Sequence, residues 1–142
     1  MVDRADRAPI VLGAADGLVI VLGLVAGMVV ARQAAGAVWH AALSAGLAEL
    51  VGMTAALWLS DARVGFRRAL SCGVASAGGA ILPAVPYLAA GGWPATAAAL
   101  ALVAAAGGLV AWLRPERGAG AVAQTYGCLI AAAALCAAVG VI

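Results

Sequence analysis

The sequence predicts an all-α integral membrane protein, a single domain over residues 1–142 with five transmembrane helices, a cytoplasmic N-terminus and an external C-terminus. Hydrophobic residues make up 66% of the chain and charged residues 10%, whereas soluble proteins contain about 45–50% and about 25% respectively. With so few polar groups, most of the surface must face lipid. We therefore expect the bilayer as a partner, and no nucleic acid.

Five apolar stretches carry this prediction. A hydrocarbon core about 30 Å thick takes roughly 20 helical residues to cross. We predict spans at about 10–31, 38–59, 69–90, 94–113 and 120–142. The breaks between them are short and contain charge, Gly or Pro, so consecutive helices run antiparallel.

The arginines predict the orientation. With a cytoplasmic N-terminus, seven arginines lie inside and only Arg32 lies outside, a strong positive-inside bias. Tryptophans bracket the second and fourth spans at a separation of 19 residues, Trp39 with Trp58 and Trp93 with Trp112. That separation corresponds to about 28 Å of helix, so all four rings are expected at headgroup level. The arginine-only basic residues and the abundance of Ala and Gly are typical of a GC-rich bacterium, which predicts a multi-pass protein of the cell membrane.

Two acidic residues are predicted inside spans, Asp16 in the first and Glu49 in the second. A carboxylate in hydrocarbon costs at least about 2.5–3.5 kcal/mol, and the spans hold no Arg or Lys to pair with it. Asp16 and Glu49 must therefore face a packed interior or a wet cavity, and must be protonated or bound to a cation. A protonated carboxyl that only bonds a neighbouring helix is the alternative.

Met53 lies one helical turn beyond Glu49, on the same face of the second span. Two carboxylates and a thioether at neighbouring depths suit a borderline divalent cation such as Fe²⁺ or Mn²⁺ better than Mg²⁺. The sequence thus predicts Asp16, Glu49 and Met53 as metal ligands, although a methionine in an apolar helix is more often packing. We expect no cofactor besides such an ion.

The first span carries two GxxxG patterns, Gly13 with Gly17 and Gly23 with Gly27. Such spacing lets another helix approach closely. Because Asp16 sits inside the first pattern, we expect a close interface with a partner helix there, with the carboxylate at the seam. By this reasoning the glycines favour a dimer.

Other polar or helix-breaking residues have simpler expected roles. Pro83 and Pro86 predict a kink or an unwound segment in the third span. The polar run 124–126 predicts hydrogen bonds between helices. His40 is expected at the outer interface beside Trp39, with a proton relay as the alternative. The three cysteines, Cys72, Cys128 and Cys136, lie in apolar stretches with no CxxC pair and are expected to be packing residues.

Three segments carry a family resemblance: VLGAADGLVIVLGLVAG in the first span, AGLAELVGM in the second and GGAILPAVPYL in the third. In order and spacing they resemble the vacuolar iron transporter family. The resemblance implies a homodimer whose cation path is lined by helices one and two of each subunit. It also implies export of Fe²⁺, and often Mn²⁺, in exchange for protons. The family's first-helix aspartate and second-helix glutamate fall on Asp16 and Glu49.

The chain departs from that family at two points. The family's pore methionine falls on Leu57, so that Met53 would have to supply the sulfur from one turn away. The long, acidic, metal-gathering insert of eukaryotic members is replaced here by SDARVGFRR. A basic loop repels cations, so metal capture of that kind is not expected.

These observations leave three candidate functions. The leading hypothesis is a dimeric exporter of divalent metal. The others are a non-transporting membrane interaction protein with structural carboxyls, and a transporter of another solute. We do not expect an enzyme, because the chain offers no nucleophile–base pair and no HExxH spacing.

Overall fold

A computed structural model describes residues 4–60, 63–114 and 118–141. Five α-helices follow one another: α1 Arg4–Val30, α2 Ala35–Ser60, α3 Phe66–Ile81, α4 Gly92–Leu113 and α5 Ala119–Gly140. Four of them, and α3 together with the 3₁₀ helix that follows it, are long and apolar enough to cross a membrane, and the limits of these stretches lie within three residues of the predicted ones. The all-helical fold with five candidate spans is therefore confirmed.

The third span changes its helical geometry at its prolines. α3 ends at Ile81, and a 3₁₀ helix, Leu82–Leu88, continues the span. Proline has no N–H to donate, and its ring clashes with the carbonyl four residues earlier in an α-helix, so Pro83 and Pro86 prevent the α-helix from continuing. The predicted irregularity of this span is confirmed.

α1 and α3 occupy the middle of the bundle. α3 packs along both α1 and α2, which touch each other over a shorter length, and α1 also packs against α5 and α4. By contrast, little of α2 and α5 is buried within the chain, 11% and 6% of their most apolar windows. Most of the surface of these two helices is therefore left for lipid or for another subunit.

The glycines of α1 serve contacts within the chain. A Cβ added at Gly13 or Gly17 would collide with the carbonyl oxygens of Cys72 and Ser76 in α3. A Cβ at Gly23 would lie 2.8 Å from the Sγ of Cys136 in α5. The expectation that these glycines mark a dimer interface was wrong, because the helices that approach α1 here are α3 and α5 of the same chain.

The alternation of helices places most of the arginines at one end of the bundle. α1 begins there, α2 ends there, α3 begins there and α4 ends there. We call this the arginine end; its described members are Arg7, Arg63, Arg67, Arg68 and Arg114. Arg32, in the turn between α1 and α2, lies at the opposite end.

Candidate metal-binding carboxylate pair

Asp16 and Glu49 come together although α1 and α2 contact each other over only a short length. The Asp16 carboxyl is within hydrogen-bonding reach of the Glu49 carboxyl. Ser76 of α3, which is fully buried, donates its hydroxyl to Glu49 Oε2 over 2.8 Å. Three helices thus contribute one polar side chain each to a single cluster, which we call the carboxylate pair with its serine.

The contact between the two carboxyls has a consequence for their protonation. An ionised carboxylate can only accept hydrogen bonds, so two carboxyls can bond to each other only when they share a proton. Two unneutralised charges held this close would repel strongly, as in paired carboxylates elsewhere. A divalent cation that displaces the shared proton would balance the two negative charges instead. Either a shared proton or a divalent cation would therefore neutralise the pair.

Small residues bring the three backbones close enough for this cluster. Gly17 lets α1 lie directly against the carbonyl of Ser76. On the other side of α3, the missing side chain of Gly73 makes room for Thr54 and the carbonyl of Leu50 in α2. Because α3 contacts both neighbours at backbone distance, a side chain as short as serine can reach the Glu49 carboxylate.

The pair is not sealed inside the chain. Asp16 and Glu49 are each half-buried, and Asp16 lies on α1 between Leu12 and Ile20, which are 52% and 38% exposed. These three residues are spaced at four-residue intervals and form one stripe along the helix. Asp16 also lines a cavity of about 670 Å³ between α1, α4 and α5. One side of the aspartate is thus open toward the cavity and the outside of the bundle.

Met53 lies on α2, the helix that carries Glu49. It is half-buried, one turn from Glu49 on α2, with the half-buried Leu57 one turn further on. Among residues 4–60, 63–114 and 118–141, no third His, Cys, Asp or Glu joins the pair to make a metal-binding group. That Met53 supplies a thioether ligand stays a prediction.

Ser76 is the member of the cluster that sequence reasoning missed. Its signal was a hydroxyl in an apolar span, and such residues often bond a neighbouring helix. Ser71 carries the same signal, yet its hydroxyl bonds the carbonyl of Arg67 in its own helix. The sequence alone does not separate the two serines, since the difference depends on which face of α3 lies between α1 and α2.

The remaining polar residues have local partners. His40 is exposed, and its Nδ1 lies 2.7 Å from the carbonyl of Gly36 in the same helix. Tyr126 donates its hydroxyl to the carbonyl of Ala104 in α4 over 2.6 Å. Arg114, at the end of α4, bonds α5 through Gln124 and Thr125. The predicted role of the 124–126 run in joining helices is confirmed.

Comparison with known proteins found no family model, no curated protein and no solved structure that matches this chain. The resemblance to the vacuolar iron transporters therefore rests on the three sequence segments alone.

Proposed function

We propose that the protein is a proton-coupled exporter of divalent transition metal, Fe²⁺ or Mn²⁺, in the cell membrane of a bacterium, with its arginine end in the cytoplasm. The observation that carries the proposal is the contact between the Asp16 and Glu49 carboxyls inside membrane-spanning helices. A carboxyl pair at this depth must hold a proton or a cation. An exporter uses both states in turn. The pair releases a proton when it binds metal, and it takes up a proton when it releases the metal.

The exposed side of Asp16 supports a homodimer. A half-buried carboxyl in a stripe with Leu12 and Ile20 would meet lipid in a lone subunit, and intramembrane ionisable groups almost always face a bundle interior or a wet cavity. A second copy of the chain, packed over this stripe by two-fold symmetry, would cover the aspartate and bring two carboxylate pairs toward one path. This support is independent of the glycines, which are used within the subunit.

A structural role for the pair is the second candidate, and one observation favours it. Each carboxyl already has a hydrogen-bonding partner in the chain, with Ser76 as donor to Glu49. A proton held permanently between Asp16 and Glu49 would join α1 to α2 and move nothing. In that case the chain would be a membrane interaction protein on the same scaffold. The two candidates differ in whether the proton can be exchanged for a cation.

Flux through liposomes tests the proposal. We expect a pH gradient across the liposome membrane to drive Mn²⁺ or Fe²⁺ through the purified protein in the direction opposite to the protons. Asp16→Asn and Glu49→Gln should each lower this flux more than tenfold. Both changes keep the shape of the side chain and remove its charge. Ser60→Ala is the control, because Ser60 is an exposed polar residue on α2 whose hydroxyl bonds the carbonyl of Leu57 in its own helix, so that flux should be unchanged.

Two results would contradict the proposal. If liposomes show no divalent-cation flux with or without a gradient, the structural candidate takes its place. If flux occurs and survives both carboxylate changes, the protein is a transporter that uses another site.

A further inference from the structure

The cavity of about 670 Å³ between α1, α4 and α5 has a polar end and an apolar body. α1 and α5 touch in the half of the bundle far from the arginine end, where Gly23 and Gly27 pack on Cys136. Toward the arginine end the two helices diverge. The cavity lies in this gap and follows α1 from Ala8 to Val19, about 16 Å of helix. Cys128 of α5 lines it and is exposed, so it opens sideways from the bundle on the side of α5.

Arg114 forms the polar end of the cavity. Its guanidinium is half-buried and donates to the carbonyl of Ala121 over 3.3 Å, to Thr125 Oγ1 over 3.4 Å and to Gln124 Oε1 over 2.9 Å. All three acceptors are uncharged, and two of the distances exceed the usual range of about 2.7–3.2 Å. A guanidinium has five N–H donors in a fork that fits phosphate oxygens. Within the described residues, the positive charge therefore has hydrogen bonds without an opposite charge.

We propose that this cavity binds a bilayer phospholipid with an anionic headgroup, its phosphate at Arg114 and one acyl chain along the apolar body. The body is lined by Val11, Val19 and Leu129, which suits a hydrocarbon chain and not a soluble anion. The lateral opening would face the lipid bilayer. Basic pockets between helices on the cytoplasmic side of membrane proteins bind anionic headgroups.

Asp16 is the one acidic residue that lines the cavity within the described part of the chain. It does not exclude an anionic lipid, because Arg114 and Gln124, at the end of α4 and on α5, offer the phosphate contacts on helices other than α1. The lipid site is also independent of metal transport. It stands whether or not the carboxylate pair exchanges cations.

Native mass spectrometry of the purified full-length protein tests the proposal. The protein is titrated in detergent with phosphatidylglycerol or with phosphatidylcholine, and the lipid-bound fraction is measured. We expect phosphatidylglycerol to bind about fivefold more tightly, the effect of roughly one arginine at a lipid headgroup. Arg114→Gln should remove this preference. Arg67→Gln is the matched control, since Arg67 is exposed at the same end, outside the cavity, and should retain it.

A second pair of variants leaves Arg114 and its bonds to α5 intact. Ala15→Phe places a ring in the cavity that Ala15 lines, and should lower binding of both lipids at least fivefold. Ala101→Phe, at an exposed position of α4, should not. The proposal is overturned by equal binding of the two lipids to the unchanged protein, by lipid binding that survives Ala15→Phe, or by displacement of lipid with millimolar inorganic phosphate. Loss of dimer in place of loss of lipid would assign the cavity to a second copy of the chain.

Discussion

Ser76→Ala isolates what the buried serine does for the carboxylate pair. The hydroxyl of Ser76 is 2.8 Å from Glu49 Oε2 and fully buried, so no solvent replaces it when it is removed. A hydrogen bond to a charged group contributes about 1.5–3 kcal/mol, and 1.4 kcal/mol corresponds to a factor of about ten in affinity. In the proposed metal site, this donor would hold the Glu49 carboxylate in place for the cation. We therefore expect Ser76→Ala to weaken Mn²⁺ binding about tenfold or more in calorimetric titrations at fixed pH.

Ser71→Ala is the control for this measurement. It deletes the same hydroxyl from the same helix, but the Ser71 hydroxyl bonds the carbonyl of Arg67, away from the pair. We expect its Mn²⁺ affinity to equal that of the unchanged protein. Melting curves of both variants show whether the fold is kept. Equal affinities for Ser76→Ala, Ser71→Ala and the unchanged protein would refute the idea that Ser76 tunes the Glu49 carboxylate.

Three further predictions concern packing, assembly and topology. Gly17→Leu should destabilise the subunit in thermal unfolding, because its side chain would enter the backbone of α3, whereas Gly36→Leu meets open space and should be tolerated; equal melting temperatures would contradict the α1–α3 contact. In membranes, with the native cysteines replaced, Leu12→Cys should form an inter-subunit disulfide, whereas Leu109→Cys, similarly exposed on α4, should not. If both variants stay monomeric, the proposed dimer is contradicted. A reporter fused at the C-terminus should be external and one in the Arg63–Arg68 loop cytoplasmic; finding both on one side would exclude five spans.

The number and limits of the helices were predictable because they depend on properties of single segments. Length and apolarity decide whether a segment can span the bilayer, and charge or proline decides where it ends. Pro83 and Pro86 predicted the place where α3 gives way to a 3₁₀ helix, since proline acts on its own backbone. The approach of Asp16 to Glu49 was less direct to predict. The sequence placed the two carboxyls at neighbouring depths in adjacent spans, where each needs a proton or a cation, but it did not predict that they contact each other.

The partners of each helix face were not predictable from the sequence. A GxxxG pattern indicates that some helix comes close, and it carries no information on which helix that is. For Gly17 the partner is α3 of the same chain, where the sequence had favoured a second subunit. Ser76 was missed for the same reason, because its role depends on the order in which the helices pack. Short-range patterns specify contacts that are possible, and the packing of the whole bundle selects among them.

The separate uses of the faces of α1 connect this fold to the proposed function. Gly13 and Gly17 bring α1 to backbone distance from α3, whose Ser76 bonds Glu49 of α2, and so bring Asp16 of α1 within reach of the same cluster. The stripe of Leu12, Asp16 and Ile20 lies outside these contacts and stays partly exposed. If the glycines had formed the subunit interface, the helix would have had no face left to hold the carboxylate pair together. Because they are used within the subunit, the carboxylate pair is complete in one chain, and a second subunit in the proposed dimer would only have to cover it.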